Sequence, residues 1–538
     1  MLAALLAALS ALAVAACGGG TAVHSATVVT SIPGRTFVDL VPELPDDLDQ
    51  TGTPTPASAA ILPSWSGELV RPARARPGAG TVLPADGAVV PYLATSWSRD
   101  GAGDYIFRLR RHVRAPGGDP LRAADVAWSL ERAIARVPEA PFLFELAHID
   151  QAHPVTILGR HRVRINVTAP SPFVLSVLAS ADAAIYDSSL YRRHATGDDP
   201  WAVQWASAHP VSYGAYYVSS FLPNQEIVLT ANPGFWRRPY YRHVLIRQIA
   251  DPSTRLADVL DGTATHTSQI TWAEFNEAAA VGPSDGARAT ILQDGPGVIA
   301  WQLNVSRGPL ANPLVRQAIN MGINRGELAN ALDNTNDSPQ AQTIPAAFGQ
   351  RQTVPFDPVQ ARSLMRAAGY PNGVNVTVYT NSSVAGGQVG TLLNFLYNQL
   401  IQIGVIMHTV YVDNTDQLLA IERRRAVPST IGIITPLLGG AGFLLEQDEN
   451  AALDPVSPAA LEELHDPALQ SALDQLRSSA PGPALRGLIA QAASIADQRL
   501  ATIQLVTVPV QNVTRVGVTG YGAYTLPTIY YENLRVRR

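Results

Sequence analysis

Cys17 is the one cysteine among 538 residues. A single thiol cannot close an intramolecular disulfide, and it cannot build a thiolate metal site, which takes several ligands. The chain contains no lysine, so a phosphate loop ending in Gly-Lys-Ser/Thr is impossible. The stretch GVTGYG at 517–522 has glycines but neither the strand-turn-helix context nor the spacing of a dinucleotide turn. DNTNDS at 333–338 superficially resembles a calcium loop, but Thr335 stands where a ligand is required and the sixth position is not glycine. It reads as a loop. The 11 histidines are scattered, and there is no His-Glu-x-x-His or Cys/His cluster. His112, His161 and His243 each stand beside an arginine in strand-like stretches, as solvent-facing or packed side chains. Nothing marks a serine triad. These residue types imply no enzyme, no cofactor and no metal site.

The surroundings of Cys17 give its chemistry. Met1 to Ala16 is Leu, Ala and Val with Ser10 the one polar residue. That run is shorter than the roughly 20 residues that span a bilayer and suits the apolar core of a secretory signal. No basic residue precedes it, although a signal normally begins with positive charge. Val14-Ala15-Ala16 before the cysteine is similar to a bacterial lipobox, in which the thiol receives a diacylglycerol and becomes the new N-terminus. The alternative is an ordinary signal peptide with a chance cysteine. Two fatty chains on one cysteine anchor a protein stably, so Cys17 reads as a tether and residues 18–35 as a spacer. No later segment reads as a transmembrane helix.

The elements behind the tether are those of a globular α/β chain. It is 46% hydrophobic and 15% charged, with a net charge of -5, which argues against nucleic-acid binding. Residues 71–87 are rich in Pro, Gly and Ala and read as a surface loop. YIFRLRRHV from Tyr105 alternates, with Phe107 and Leu109 on one face and Arg108 and Arg110 on the other. Its arginines form either an anion site or a solvated strand face. In AADVAWSLERAIARV, Val126, Leu130 and Ile134 make one helical stripe, and Glu131 and Arg132 fall off it. Asn312 caps a helix that Pro313 begins. Asn324 with Glu327 makes a second capping arrangement. Asp357 caps a third helix that Gly369 ends. VNVTVYT, the apolar helix ending near Gly404, and VIMHTVYV then alternate strand, helix, strand.

Four stretches resemble, in order, a known family. VPYLATSWSRDGAGDYIFRLRRHVRAPGGDPLRAADVAWSLERA (90–133) is similar to the segment running from a Leu-Ala-x-Ser-Trp turn through Phe-x-Leu-Arg to an Ala-x-Asp-Val helix in extracytoplasmic solute-binding proteins of family 5. These are the binding lipoproteins of peptide and nickel ABC importers. PVSYGAYYVSSFLPNQEIVLTANPGFW (210–236) resembles the family's Gly-x-Gly-Pro-Tyr strand and Asn-Pro-x-Tyr-Trp turn. LNVSRGPLANPLVRQAINMGINRGEL (303–328) and FDPVQARSLMRAAGYPNG (356–373) resemble its helix pair and its Asp-Pro-x-x-Ala stretch.

The resemblance implies an α/β, two-lobed periplasmic-binding-protein-like fold with a hinge and an inserted subdomain. Residues 1–17 would be the signal peptide with lipobox. Residues 36–66 with 205–295 and 500–538 would form a discontinuous lobe I, 67–204 the inserted subdomain, and 296–499 lobe II. The implied protein is a monomer on the extracytoplasmic face of a bacterial membrane. It captures a peptide or small-molecule ligand in the cleft and delivers it to an ABC permease and ATPase complex.

The resemblance is incomplete where peptide-binding members hold the peptide amine with an aspartate in a Trp-x-x-Asp-Tyr-x-Asp-Pro stretch. This chain has STIGIITPLLGGAGFLLEQDENAALDP (429–455) there, with no Trp and no acid before Glu446. Tyr213 and Ala215 stand where the Gly-x-Gly-Pro-Tyr strand has Thr and Pro. Ile431 to Leu445 carries no charge, which fits either a buried strand with a Gly-rich loop or an apolar cleft wall. The second possibility suits family members that act outside transport, binding an envelope glycolipid or a protein partner. By resemblance the ligand-binding candidates are Trp301, three residues before Asn304 on a cleft strand, Asn304 itself, Tyr213 at the altered strand and Thr435 in place of the family's Trp. Trp301 is equally readable as a core residue.

Overall fold

The computed structural model describes residues 35–45, 47–49, 60–77, 87–283, 286–332, 354–382, 384, 388–413, 415–423, 427–434, 445, 466–480, 482–524 and 528–537. Its strands are β1 (Thr36–Val41), β2 (Val70–Pro72), β3 (Val89–Pro91), β4 (Ala94–Arg99), β5 (Tyr105–Leu109), β6 (Val155–Gly159), β7 (Arg162–Ile165), β8 (Tyr216–Leu222), β9 (Glu226–Ala231), β10 (His243–Gln248), β11 (His266–Ser268), β12 (Ala287–Leu303), β13 (Val374–Asn381), β14 (Val405–Val412), β15 (Ser429–Ile434), β16 (Thr502–Arg515), β17 (Val518–Thr519) and β18 (Arg535–Val536). Ten of them form one mixed sheet in the order β14-β13-β15-β12-β16-β11-β1-β10-β9-β8.

The middle of that sheet is an antiparallel ribbon. β12 and β16 pair from Ala287 opposite Arg515 to Gln302 opposite Thr502. Their register slips around Gln293: β12 advances four residues, to Gly297, while β16 advances two, from Val510 to Val508. Extra residues in one strand bend a ladder and raise its twist. The sequence there is Gly295-Pro296-Gly297 on one strand and Pro509 on the other, and proline has no N–H to give to a ladder. We call this place the waist. Beyond it on one side lie β11, β1, β10, β9 and β8, and on the other β15, β13 and β14.

Local chemistry builds each side. Asn312, Asn324 and Asp357 cap their helices through side-chain oxygens that accept from Leu314, Glu327, and both Val359 and Gln360 backbone N–H groups. The helix Val389–Leu400 crosses between the parallel strands β13 and β14. That crossover closes tightly because Gly373 has φ 88° and a Cβ on it would meet Gly404 O at 2.5 Å. Trp301, Ile319, Val378, Leu396 and Ile431 share the core on this side. On the other side β1 is buried on both faces: Phe37 and Val41 enter one core, Val38 and Leu40 another. The helix Ala484–Arg499 touches both sides. Leu485 and Ile489 join the core of Phe37, and Arg499 O accepts from the Arg316 guanidinium.

A separate four-stranded sheet, β4-β5-β7-β6, carries the segment between β3 and β8. Phe107 and Leu109 are buried and Arg108 is exposed, as the alternation requires. Two expectations are corrected here. Arg132, placed off the apolar stripe, is buried, with its guanidinium 2.5 Å from Asp49 Oδ2 and within 5.2 Å of the Tyr191 ring centroid. The cause is a second apolar cluster, in which Trp128 of that helix packs with Tyr186, Tyr191, Ala202 and Ala206. The stretch 71–87 is not all surface loop. Arg71 lies buried in β2, between Glu68 at 3.1 Å and Glu532 at 2.6 Å.

Among the described residues no helix is long and apolar enough to cross a membrane. Cys17 and the loop 333–338 lie outside the described residues.

Two predictions follow from these buried charges. Arg132→Met leaves Asp49 buried without its cation, and urea unfolding should show a loss of about 3–5 kcal/mol; Asp49→Leu/Arg132→Met should recover most of it. Asp187 caps the helix Ser188–His194, and burial, followed by the charges of Asp119 and Asp125, pushes its carboxyl up to about 6. The folded chain then holds a proton that the unfolded chain releases at lower pH, so stability falls as pH rises through that range. Melting curves should show this fall between about pH 4 and pH 7, and Asp187→Asn should flatten it.

Candidate functional site

β11 delivers a histidine to the centre of the sheet. His266 pairs in register with Asp39 of β1, and parallel partners turn their side chains to the same face. Asp39 Oδ1 lies 2.6 Å from His266 Nδ1. The Tyr531 hydroxyl donates to Asp39 Oδ2 from the far end of the chain. A carboxylate only accepts, so this geometry places a proton on Nδ1. Phe37 and Tyr521 flank the ring at 6.0 and 5.7 Å between centroids. Burial first, then the Asp39 charge, pushes the Tyr531 hydroxyl well above its ordinary value, so it stays a donor.

His266 Nε2 has no partner among the described residues, although the residue is wholly buried. His266 lines a small pocket. Ser268, Leu292, Val510, Asn512, Tyr524 and Thr528 are among the lining residues. Leu292 and Val510 belong to the slipped ladder of β12 and β16, so the pocket sits at the waist. Asn512 Oδ1 and Thr528 Oγ1 are also buried and without partners among the described residues. Each such atom costs roughly 1–3 kcal/mol if nothing hydrogen-bonds it. All three residues line this one pocket. Asn512 reaches it because it lies opposite Ser268 across the β11–β16 pair.

The pocket is closed by the C-terminal strap. Gly520 holds its turn with φ 102°, where a Cβ would collide with Asn533 O. The GVTGYG stretch is thus part of a tight crossing of two chain segments. Burial pushes the Tyr524 hydroxyl up to about 12. No group of three or more metal-ligating side chains occurs among the described residues.

The residues named from sequence lie elsewhere, and none lines this pocket. Trp301 is wholly buried in the second core, with its indole N–H unpartnered among the described residues. Asn304 is also wholly buried, and its Oδ1 accepts from the Ser306 backbone and hydroxyl. Both sit past the waist on or beside β12. Tyr213 is wholly buried on the insert side, where burial and the charges of Asp125 and Asp187 raise its hydroxyl. Thr435 lies outside the described residues. His112 falls in a bend, His161 in the turn between β6 and β7, and His243 at the start of β10. The expectation that no Gly-x-Ser-x-Gly occurs is corrected by the sequence itself, which has that spacing at Gly282–Gly286; it stands between the helix Trp272–Val281 and β12, the reverse of the strand-to-helix order of a nucleophile elbow.

Sequence reasoning missed His266. The signal was Thr265-His266-Thr267-Ser268, a polar run too short to score as a strand, which the fold places in the middle of a sheet.

Comparison with known proteins adds three findings. A family model described as bacterial extracellular solute-binding proteins, family 5 (middle), matches residues 88–436. The glutathione-binding protein GsiB of Escherichia coli O1:K1 is 24% identical over 341 residues, covering 61% of this chain and 62% of that protein. Among solved structures, the periplasmic binding protein DppA of Helicobacter pylori in complex with the peptide STSA superposes with a TM-score of 0.77 at 18% identity, covering 94% of this chain and 98% of that one. NikA of Brucella suis in complex with Fe(III)-EDTA superposes with a TM-score of 0.76 at 17% identity, covering 93% and 100%. The fold is therefore the α/β, two-lobed fold of periplasmic binding proteins.

Proposed function

This chain belongs to family 5 of the bacterial extracellular solute-binding proteins, and from that premise we propose that it captures a small solute at the waist and delivers it to an ABC importer. It does no chemistry on the solute. The observation that carries this reading is that His266, Asn512 and Thr528, each with a buried polar atom unpartnered among the described residues, line one pocket beside the slipped β12–β16 ladder. A solute that bridges these atoms to the other lobe favours the closed arrangement only by binding it more tightly than the open one.

In this reading lobe I comprises 36–66, 205–295 and 500–538, the insert 67–204 and lobe II 296–499. Trp301 and Asn304 stiffen lobe II where β12 leaves the waist, Tyr213 braces the insert against lobe I, and Thr435 belongs to the segment that follows β15. Cys17 is the lipid-bearing residue. A tether keeps the protein near its permease and raises its effective concentration there. The protein acts as a monomer at the extracytoplasmic face of the membrane.

A second reading has its own support. Ile431 to Leu445 carries no charge, and Ile433 in β15 is 42% exposed. An apolar wall of this kind suits an envelope glycolipid or a protein partner, with no transport.

Native mass spectrometry of the full chain from a bacterial host, with denatured spectra beside it, tests these readings. The import reading predicts a mass excess of a small solute or a ladder of peptides, lost in His266→Phe and in the near-isosteric Thr528→Val. A single amphiphile in place of the solute supports the second reading. An excess that both variants retain contradicts the waist pocket as the site.

A further inference from the structure

The insert's four-stranded sheet shows solvent a face of arginines. Arg108 of β5 lies directly opposite Arg162 of β7, and both are exposed. Like charges directly opposite on one face destabilise a sheet pair. Arg111, Arg122 and Arg160 are exposed around the end of the same strands. They belong to one cluster, because Leu109 N–H donates to His161 O and Ala123 N–H donates to Arg160 O. The His161 imidazole is held below its ordinary value by partial burial and then by the charges of Arg160, Arg111, His112 and Arg122.

None of Arg108, Arg111, Arg122, Arg160 and Arg162 pairs with a carboxylate among the described residues. The acids nearest in sequence are already engaged: Asp104 with Arg164, Asp119 with Arg193, and the buried Asp125 with the Ser188 hydroxyl and the Arg122 backbone N–H. The chain as a whole has 44 acidic residues and a net charge of -5, so a face without acids runs against its overall charge. The outward positions of β5 and β7 hold Ile106 and arginines and offer no aromatic ring on which a nucleic-acid base could stack.

The end of β5 packs against a segment that also touches Arg35. Arg110 stacks on Trp236 at 4.4 Å, with Arg237 next in sequence, and Arg114 N–H donates to Gly234 O. A few residues on, the Arg35 guanidinium lies 5.4 Å from the Tyr240 ring centroid, and Arg242 N–H donates to Arg35 O. One segment, 232–242, therefore touches both the arginine face and Arg35. The sequence from Cys17 to Arg35 reaches at most roughly 60 Å when fully extended.

We propose that this face binds anionic phospholipid headgroups, laying the insert against the membrane to which Cys17 would tether the chain. The orientation rests on the tether reading; the lipid binding does not. Guanidinium forks take phosphate oxygens two at a time. Several arginines at an anionic surface sum to a substantial attraction, although each alone is weak. Lipid contact would also supply the counter-charge that the Arg108–Arg162 pair lacks in the protein.

The test is vesicle flotation of the full chain carrying Cys17→Ser, which removes acylation and so separates this proposal from the tether. Phosphatidylcholine vesicles are compared with vesicles that also contain phosphatidylglycerol. The parent should prefer the anionic vesicles, and salt should suppress the preference. Arg108→Gln/Arg160→Gln/Arg162→Gln should weaken that preference by about tenfold or more, while the corresponding triple Lys variant keeps most of it. All three substitutions are at exposed positions and relieve a like-charge pair, so the melting temperature should not fall and any solute retained at the waist should be unchanged. A parent indifferent to phosphatidylglycerol overturns the proposal, as does a Gln variant with undiminished preference. Charge-dependent binding to a single-stranded oligonucleotide with no vesicle preference also overturns it.

Discussion

Both halves of the main sheet hang on one antiparallel ribbon, β12 with β16, whose register shifts three times and most around Gln293 to Gly297. Between the shifts the strands stay paired, so the halves cannot separate without breaking hydrogen bonds. Where Gln293 to Gly297 faces Val508 to Val510, the register has already slipped, and prolines remove ladder donors. A bend there sacrifices little. The core around Trp301 lies past the waist, while the helix Ala484–Arg499 spans both sides, packing Leu485 and Ile489 into the core of Phe37 and accepting from Arg316 through Arg499 O. The pocket lies beside the slip in the ribbon.

The pocket wall is fixed by polar groups at the centre of an apolar fold. One turn, Tyr531–Asn533, serves two networks. Tyr531 donates to Asp39, which orients His266. Glu532 accepts from Arg71, whose guanidinium lies 3.8 Å from the Tyr92 centroid and 4.2 Å from that of Tyr530. Burying such ions costs desolvation, and a well-packed apolar substitute is often as stable. Their value here is positional. They pin the C-terminal strap so that Tyr524 and Thr528 face Asn512 and His266 across the opening.

Much of the fold was legible because local chemistry dictated it. The caps at Asn312, Asn324 and Asp357, the alternation of β5, and the strand-helix-strand unit ending at Val412 all follow from periodicity and backbone preference. The four family stretches supplied the two-lobed α/β architecture. The waist pocket was not legible. His266, Asp39 and Tyr531 are separated by hundreds of residues and meet only through strand order. Arg132 and Arg71 misled for a related reason: a charged side chain is read as exposed until its partner, Asp49 or Glu532, is known to be adjacent. Trp301 shows the complementary limit. Its strand was readable, but the face it takes is decided by β15 and β16, between which β12 lies.

The central claim is that a solute bound at the waist links the two halves through the face that His266 shares. A crystal structure of the chain purified with its solute tests this most directly. The account predicts solute density within hydrogen-bond distance of His266 Nε2, in contact with residues on both sides of the β12–β16 slip. Density bound wholly within one half, with His266 Nε2 untouched, would contradict it.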